Sequence, residues 1–317
     1  MNIKALDMKV KPLCGVCFIQ RTFKEIQLAT DDPARQFEVL KAAINLFSKE
    51  FDENAIAAVL GTKRDRLIHQ LTNCADPYKE LKVKSNQLAE NLAINLIPVF
   101  KSKRDPYKRF RFAILVAIVG NILEFDILEH SVDLENPKYL PDLITKAEED
   151  LAIDDIKQIY QLVQREKEVL YLLDNAGEII FDKFLIRELL TLDIKVTAVV
   201  KEYPVLNDVT MEDAEFAGLA ALSKEDPRFH LLSTGTDHVG LIIDEISDEF
   251  RTVFRNSKTI IAKGMGYYET LTELPLNKPI IYLFRTKCSA VAEDAGVSID
   301  KNVAMLRLNE RLTPNKI

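Results

Sequence analysis

The stretch EVLYLLDNAGEIIFDK, residues 168–183, decides the fold. Its apolar run, Val169 to Leu173, stops abruptly at Asp174-Asn175, a small Ala-Gly step follows, and Glu178 opens an amphipathic helical pattern. A short run that is apolar on both faces and turns straight into a helix is the opening of a βαβ unit. Five more β-branched runs follow: IKVTAVVK (194–201), FHLLST (229–234), KTIIAKG (258–264), PIIYLF (279–284) and VAMLRL (303–308). They alternate with helical patterns, which predicts a Rossmann-like three-layer α/β/α domain with a mostly parallel sheet over 166–317.

Upstream the pattern differs, and residues 1–165 read as an all-α N-terminal domain, helical throughout. DDPARQFEVLKAAINLFSKEF (31–51) carries Phe37, Leu40, Ala43, Ile44, Leu46 and Phe47 at helical spacing. The tetrapeptide DPYK occurs at 76–79 and 105–108, each time with Asp able to cap a helix and Pro at its first position. IDDIKQIYQLVQREKE (153–168) reads as a connecting helix.

The 317 residues leave room for two domains, and 47% apolar residues give a globular composition. Net charge is −7, from 49 acids against 42 bases, which disfavours nucleic acid as the main partner. The run Ala113–Val119 is too short, and its continuation too polar, to cross a bilayer, so a buried helix is expected there. The N-terminus lacks a signal-peptide apolar region, and four cysteines do not make a disulfide scaffold, so a reducing, cytoplasmic setting is expected.

In open parallel sheets ligands bind beyond the carboxyl ends of the strands. Asp174, Asn175 and Glu178 follow the first of the six strands, Asn207 and Asp208 the second, and Ser233-Thr234-Gly235-Thr236-Asp237-His238 the third. Lys263-Gly264 follows the fourth and Arg285-Thr286-Lys287-Cys288 the fifth. Acids and amides on the early strand ends suit a divalent cation: Asp174, the Asn175 carbonyl oxygen and Asp208 supply oxygen ligands. Lys263 and the backbone of the Thr234-Gly235 turn suit a phosphate.

Each residue also has a plainer explanation. Asp174-Asn175 can be a turn after a strand, and Glu178 can complement a helix dipole. Asp182 can sit on a solvated helix face, and Lys263 can be a surface lysine. Thr210-x-x-Asp213 resembles a capping box, so Asp208 is preferred to Asp213 as third ligand. The set as a whole, rather than any member, favours a site. Other signatures fail: GMGYYE (264–269) has Glu269 where a dinucleotide fingerprint needs its third glycine, no GxxxxGK occurs, and Asp174-Asn175-Ala176 is not an Asp-x-Asp phosphatase motif.

The ordered motifs resemble the damage-control phosphatase family, also known as domain of unknown function 89. They are the Cys14-Gly-Val-Cys17 pair, DPYKELKVKSN (76–86), VGNILEF (119–125), DNAGEIIFD (174–182), NDVTMEDAEFAGL (207–219), STGTDHVG (233–240), AKGMGYYETL (262–271) and RTKCSAVAEDAGV (285–297). The resemblance implies metal-dependent hydrolysis of a small phosphometabolite, such as a sugar phosphate or a damaged or side-product phosphoester, with Mg²⁺, Mn²⁺, Co²⁺ or Ni²⁺. It implies metal ligands at Asp174, Asn175 and Asp208, a phosphate-site lysine at Lys263, and a contribution from Asn121 across the cleft, whose plainer role is a hydrogen-bonded core amide. Asn207, Thr234 and Gly235 join the expected substrate contacts, and Glu178 and Asp182 are expected to position water or ligands. This chain has Tyr267 where the family usually has Asn.

The Cys14/Cys17 pair marks the CxxC-containing branch common in archaea and some bacteria. Half a zinc site, a redox pair, an accessory role together with Cys288, or plain packing all fit the sequence. KSKRDPYKRFR (101–111) holds six bases in eleven residues and reads as a solvated helix start before it reads as a nucleic-acid patch. His238 is expected near the cleft. Two further functions stay open on the sequence: an S-adenosylmethionine-dependent carboxyl methyltransferase, opposed by the missing glycine-rich loop after the first strand, and a non-catalytic metabolite- or nucleic-acid-binding protein.

Overall fold

The computed structural model describes residues 8–120 and 139–308. Six of its strands fall on the six expected runs. They are β2 (Glu168–Leu172), β3 (Lys195–Val200), β4 (Phe229–Ser233), β5 (Ile260–Lys263), β6 (Ile280–Arg285) and β7 (Asn302–Arg307). A seventh, β1 (Leu151–Asp154), corrects the expectation that residues 1–165 are helical throughout. It pairs parallel to β7, while β6 and β7 are antiparallel and the remaining neighbours are parallel. Strand order is β1-β7-β6-β5-β2-β3-β4. The chain moves from β2 outward through β3 and β4, then returns to the other side of β2 as β5. The topological switch point therefore lies between β2 and β5, where a crevice opens at the strand ends.

Side chains of β2 alternate between two cores. Val169, Tyr171 and Leu173 face the larger one, with α4 (Lys79–Ala93), α5 (Leu96–Ser102), α6 (Pro106–Gly120), α7 (Tyr139–Glu149), α8 (Ile156–Glu166) and α9 (Glu178–Thr191). Helices α10 (Met211–Phe216) and α11 (Leu219–Glu225) join that layer. Leu170 and Leu172 face the other core, with α12 (Asp248–Asn256), α13 (Gly264–Leu271) and α14 (Ser289–Ala295). Every residue of α6 from Phe112 to Gly120 is buried, so the long apolar run is a core helix as expected. No described helix is long and apolar enough to cross a membrane.

Helices α1 (Pro12–Ala29), α2 (Pro33–Glu50) and α3 (Ala57–Thr72) build two small cores of their own. In α2 the buried stripe is Val39, Ala43 and Phe47, at i, i+4, i+8, while Phe37 and Ile44 are exposed. The second DPYK starts a helix as expected: Pro106 is the first residue of α6, and Asp105 Oδ1 accepts from Lys108 N at 2.8 Å. The first differs. Asp76 caps a turn by accepting from Tyr78 N at 3.1 Å, and α4 begins only at Lys79. The basic segment is tied to acids, Arg109 to Glu188 and Arg111 to Glu148 and Asp154.

Candidate metal and phosphate site

Backbone pairing draws the expected ligands together. The turn after β2 and the turn after β3 form an antiparallel bridge, Asn175 opposite Asp208. Val209 N donates to Asp174 O at 2.8 Å and Ala176 N to Asn207 O at 2.9 Å. Asp174 is half-buried, whereas Asn175, Asp208 and Glu178 are buried. Asn175 Nδ2 donates to Asp174 Oδ2 at 2.6 Å and Glu178 Oε2 at 3.1 Å.

Gly264 makes the approach of β5 possible. Its φ is +73°, and a Cβ there would lie 1.8 Å from Asp174 Oδ2. Only glycine accommodates both conditions cheaply. Gly264→Ala is expected to lower stability by about 1–2 kcal/mol from the backbone alone, and more through displacement of Asp174. Urea unfolding of the variant checks this; an unchanged midpoint would contradict the close approach.

Two buried lysines balance the acids. Lys201, the last letter of its strand-like run, lies 3.6 Å from Asp208 Oδ2 and donates to His238 O and Gly240 O, both at 2.7 Å. Its ammonium sits 4.5 Å from the Tyr267 ring centroid, within cation–π range. Burial lowers the Lys201 pKa, against the pull of Asp208 and Asp174. Burial likewise pushes Asp208 up to about 6, with Lys201 opposing.

Lys263 is wholly buried. It donates to Ala117 O at 2.9 Å, to Asp182 Oδ1 at 2.8 Å and to Glu178 Oε1. All three ammonium hydrogens are thus engaged, and Lys263 is a counter-ion rather than an open phosphate ligand in this arrangement. Burial works against its charge, but Asp182 and Glu178 outweigh burial and raise its pKa. Asp182 is not on a solvated face: it is buried, accepts from Tyr171 OH at 2.6 Å, and burial raises its pKa to about 6.

The Thr234-Gly235 turn differs from an open anion nest. Gly235 N turns onto Ser233 Oγ at 3.3 Å and Thr236 N onto Thr234 Oγ1 at 3.4 Å. Its contribution to the site is indirect, because the same loop supplies the two carbonyls that hold Lys201. Helix α3 holds the loop from outside: Thr62 Oγ1 accepts from Val239 N at 2.9 Å, and Arg66 forks onto Asp237. His238 is buried with Nδ1 donating to Val239 O at 2.6 Å, and burial lowers its pKa to about 4, so it stays neutral at physiological pH.

Asp213 completes a capping box with Thr210, whose N and Oγ1 both reach Asp213 Oδ2 at 2.9 Å. Its other oxygen accepts from Asn86 Nδ2 at 2.8 Å, and Asn86 Oδ1 accepts from Gly177 N at 2.6 Å. Asn86 of α4 thus couples the two turns that carry the acids. Sequence reasoning named its motif without giving Asn86 a role. Asn121 and its motif beyond Gly120 lie outside the described residues. Cys14 and Cys17 are on α1, Cys288 caps α14, and all four thiols are free. Cys14 and Cys288 pack against the same core.

Tyr267 carries a buried hydroxyl with no hydrogen-bond partner among the described residues. Burial raises its pKa, and Asp208 and Asp174 add to the shift. Tyr267→Phe keeps the ring under Lys201 and removes the unsatisfied group, so stability is expected to rise by about 1 kcal/mol. Thermal and urea unfolding read this directly; a loss of that size would mean the hydroxyl is bonded.

Fold and strand-end chemistry together define a Rossmann-like α/β protein with an acid-and-amide platform at its switch point. The family model for the damage-control phosphatase ARMT1-like domain matches residues 10–303, and the chain belongs to that family. An uncharacterized protein of Methanocaldococcus jannaschii is 35% identical over 95% of this chain and 96% of its own length. A damage-control phosphatase of Archaeoglobus fulgidus is 34% identical over 94% and 99%. A crystal structure of a domain-of-unknown-function-89 family protein from Pyrococcus horikoshii superposes with a TM-score of 0.81 at 33% identity, over 94% of this chain and 98% of that one.

Proposed function

We propose that this protein is a metal-dependent phosphatase that hydrolyses a small phosphomonoester, with Asp174, Asn175 and Asp208 holding Mg²⁺, Mn²⁺, Co²⁺ or Ni²⁺. The observation that carries the reading is the Asn175–Asp208 bridge, which gathers hard oxygen donors at the switch point. The donor set fits such an ion, since two carboxylates and an amide sit together, with Lys201 beside Asp208. When bound, a divalent cation neutralises phosphate charge and acts as a Lewis acid toward the phosphoryl group.

The chain's own residues do the rest. Asp174, more exposed than its neighbours, is the acid presented to the crevice. Glu178 fixes the Asn175 amide, and Lys263 fixes Glu178 and Asp182. Asn207 and the 233–240 loop border the crevice, with Asn121 as a further contact. Helices α1–α3, of which α3 grips that loop, form the cover that selects the substrate. The relatives named damage-control phosphatases support this reaction over the methyltransferase and pure-binding alternatives.

The test is an assay of chelator-stripped protein with p-nitrophenyl phosphate and a panel of sugar phosphates, each divalent metal being added back singly. Turnover that appears only with metal is the expected result. No turnover with any ester and any metal would sink the reading.

A further inference from the structure

We propose that Glu25, Asp65 and His69 form a second cation site, for a transition-metal ion of the Zn²⁺ or Mn²⁺ kind, that ties α1 to α3. The three side chains come from two helices: Glu25 from α1, and Asp65 with His69 one turn apart on α3. One ligand atom from each lies within 4.8 Å of the others. Ligand atoms about 2.0–2.2 Å from one ion lie at most about 4.4 Å apart, so a small side-chain adjustment brings the three onto an ion.

The donors are buried, not a solvated acidic patch. The side chains of Glu25 and Asp65 are 0% and 1% exposed, and that of His69 17%. Glu25 and Asp65 hydrogen-bond each other, but no described donor outside the cluster reaches either carboxylate or His69 Nε2 by a hydrogen bond. Unsatisfied buried carboxylate oxygens carry their full desolvation cost. His69 Nε2 lies 3.3 Å from Asp65 Oδ2, inside the cluster itself.

Two arginines, Arg64 and Arg21, stand close enough to Glu25 to oppose its shift. Arg64 Nη2 is 3.0 Å from Glu25 Oε2, yet Arg64 Nε and Nη2 make no hydrogen bond. Burial, with Asp65 adding to it and Arg64 opposing, holds the Glu25 carboxyl well above the usual range. A bound cation offsets the burial cost behind that shift.

The donor types select the ion. One imidazole nitrogen with two carboxylate oxygens suits borderline ions such as Zn²⁺ or Mn²⁺, whereas Mg²⁺ and Ca²⁺ favour all-oxygen shells. Three protein donors leave a position for solvent. The site shares no residue with those proposed to hold the catalytic ion, although Asp65 lies close enough to Asp208 to raise its pKa, so the histidine readout below separates the two sites.

The test uses the full chain, stripped with chelator and titrated with Zn²⁺ alone. In Asp208→Asn, which weakens the strand-end platform, about one equivalent of Zn²⁺ is still expected to stay bound after gel filtration. Adding Glu25→Gln or His69→Gln to that background should abolish it. Should those variants fold poorly, wild-type protein with ¹⁵N-labelled histidine gives an independent readout. Zn²⁺ should move the His69 Nε2 resonance to that of a coordinated nitrogen and leave His230 in place. Retention unaffected by Glu25→Gln and His69→Gln, or a His69 resonance unmoved at saturating Zn²⁺, would overturn the site.

Discussion

Asp174→Ala is expected to lower kcat/KM for p-nitrophenyl phosphate by about 10³-fold, with little change in melting temperature. Such a loss corresponds to about 4 kcal/mol of transition-state stabilisation. The reason for separating activity from stability is structural. The Asp174 backbone carbonyl, not its carboxylate, accepts the Val209 N–H that joins the two turns. Alanine keeps that bond. Asn175 Nδ2 loses one acceptor but keeps Glu178. What disappears is the most exposed oxygen ligand of the platform and the negative charge packed against Gly264. Asp174→Asn keeps the shape and removes only the charge, so an equal loss in that variant assigns the effect to charge. Full turnover by Asp174→Ala would remove Asp174 from the reaction both as ligand and as attacking group.

The parts of this arrangement that were legible in the sequence share a physical property: they depend on local pattern. Strands β2 to β7 announce themselves because a strand covered on both faces reads as an unbroken apolar run. Strand β1 does not. It has four residues, Leu151 to Asp154, alternates half-buried with exposed positions, and lies at the sheet edge between acidic segments. The antiparallel direction of β7 is equally silent, since no local signal encodes which way a strand lies against its neighbour. In α2 the helical period was readable, but Phe37 and Val39 sit on different faces and only packing on α1 and α3 decides which face is core.

Site residues divide the same way. Asp174, Asn175 and Asp208 follow strands directly, where ligands are expected in such folds. Lys201 escaped because it is the final residue of its apolar run and read as part of the strand. Asn86 reaches Gly177 from 91 positions away, and Lys263 reaches Ala117 from 146. The Glu25–Asp65–His69 cluster joins two helices of the N-terminal part. Contacts of that kind follow from how elements pack, and pattern along the chain does not carry them. Polar residues at those positions give one usable hint. A charge or amide inside an otherwise apolar helical stripe needs a partner, and the partner is often distant.

Lys263→Met should destabilise the protein by about 3–5 kcal/mol at pH 8, the usual cost of removing one partner of a buried ion pair. That is a large fraction of the roughly 5–15 kcal/mol that holds a domain folded. Methionine replaces the alkyl stem, so the loss falls on the ammonium. Without it, Glu178 and Asp182, each 1% exposed at the side chain, lose the ammonium that both contact, and Ala117 O loses its donor. The pH dependence follows from linkage. Burial already raises Asp182 to about 6, above its ordinary 3.8, and loss of Lys263 raises it further. A carboxyl whose folded pKa lies above its unfolded one binds more protons when folded. Stability then falls as pH rises through that window. The variant should therefore lose most at pH 8 and less at pH 5, where the acids accept protons. Combining Lys263→Met with Glu178→Gln and Asp182→Asn removes the uncompensated charges and should recover much of the loss, since a neutral set no longer needs the ammonium. Urea unfolding of the single and triple variants at both pH values reads all of this. A single-variant loss below about 1 kcal/mol, or a triple variant no more stable than the single, would show that Lys263 is not the counter-ion on which this part of the core depends.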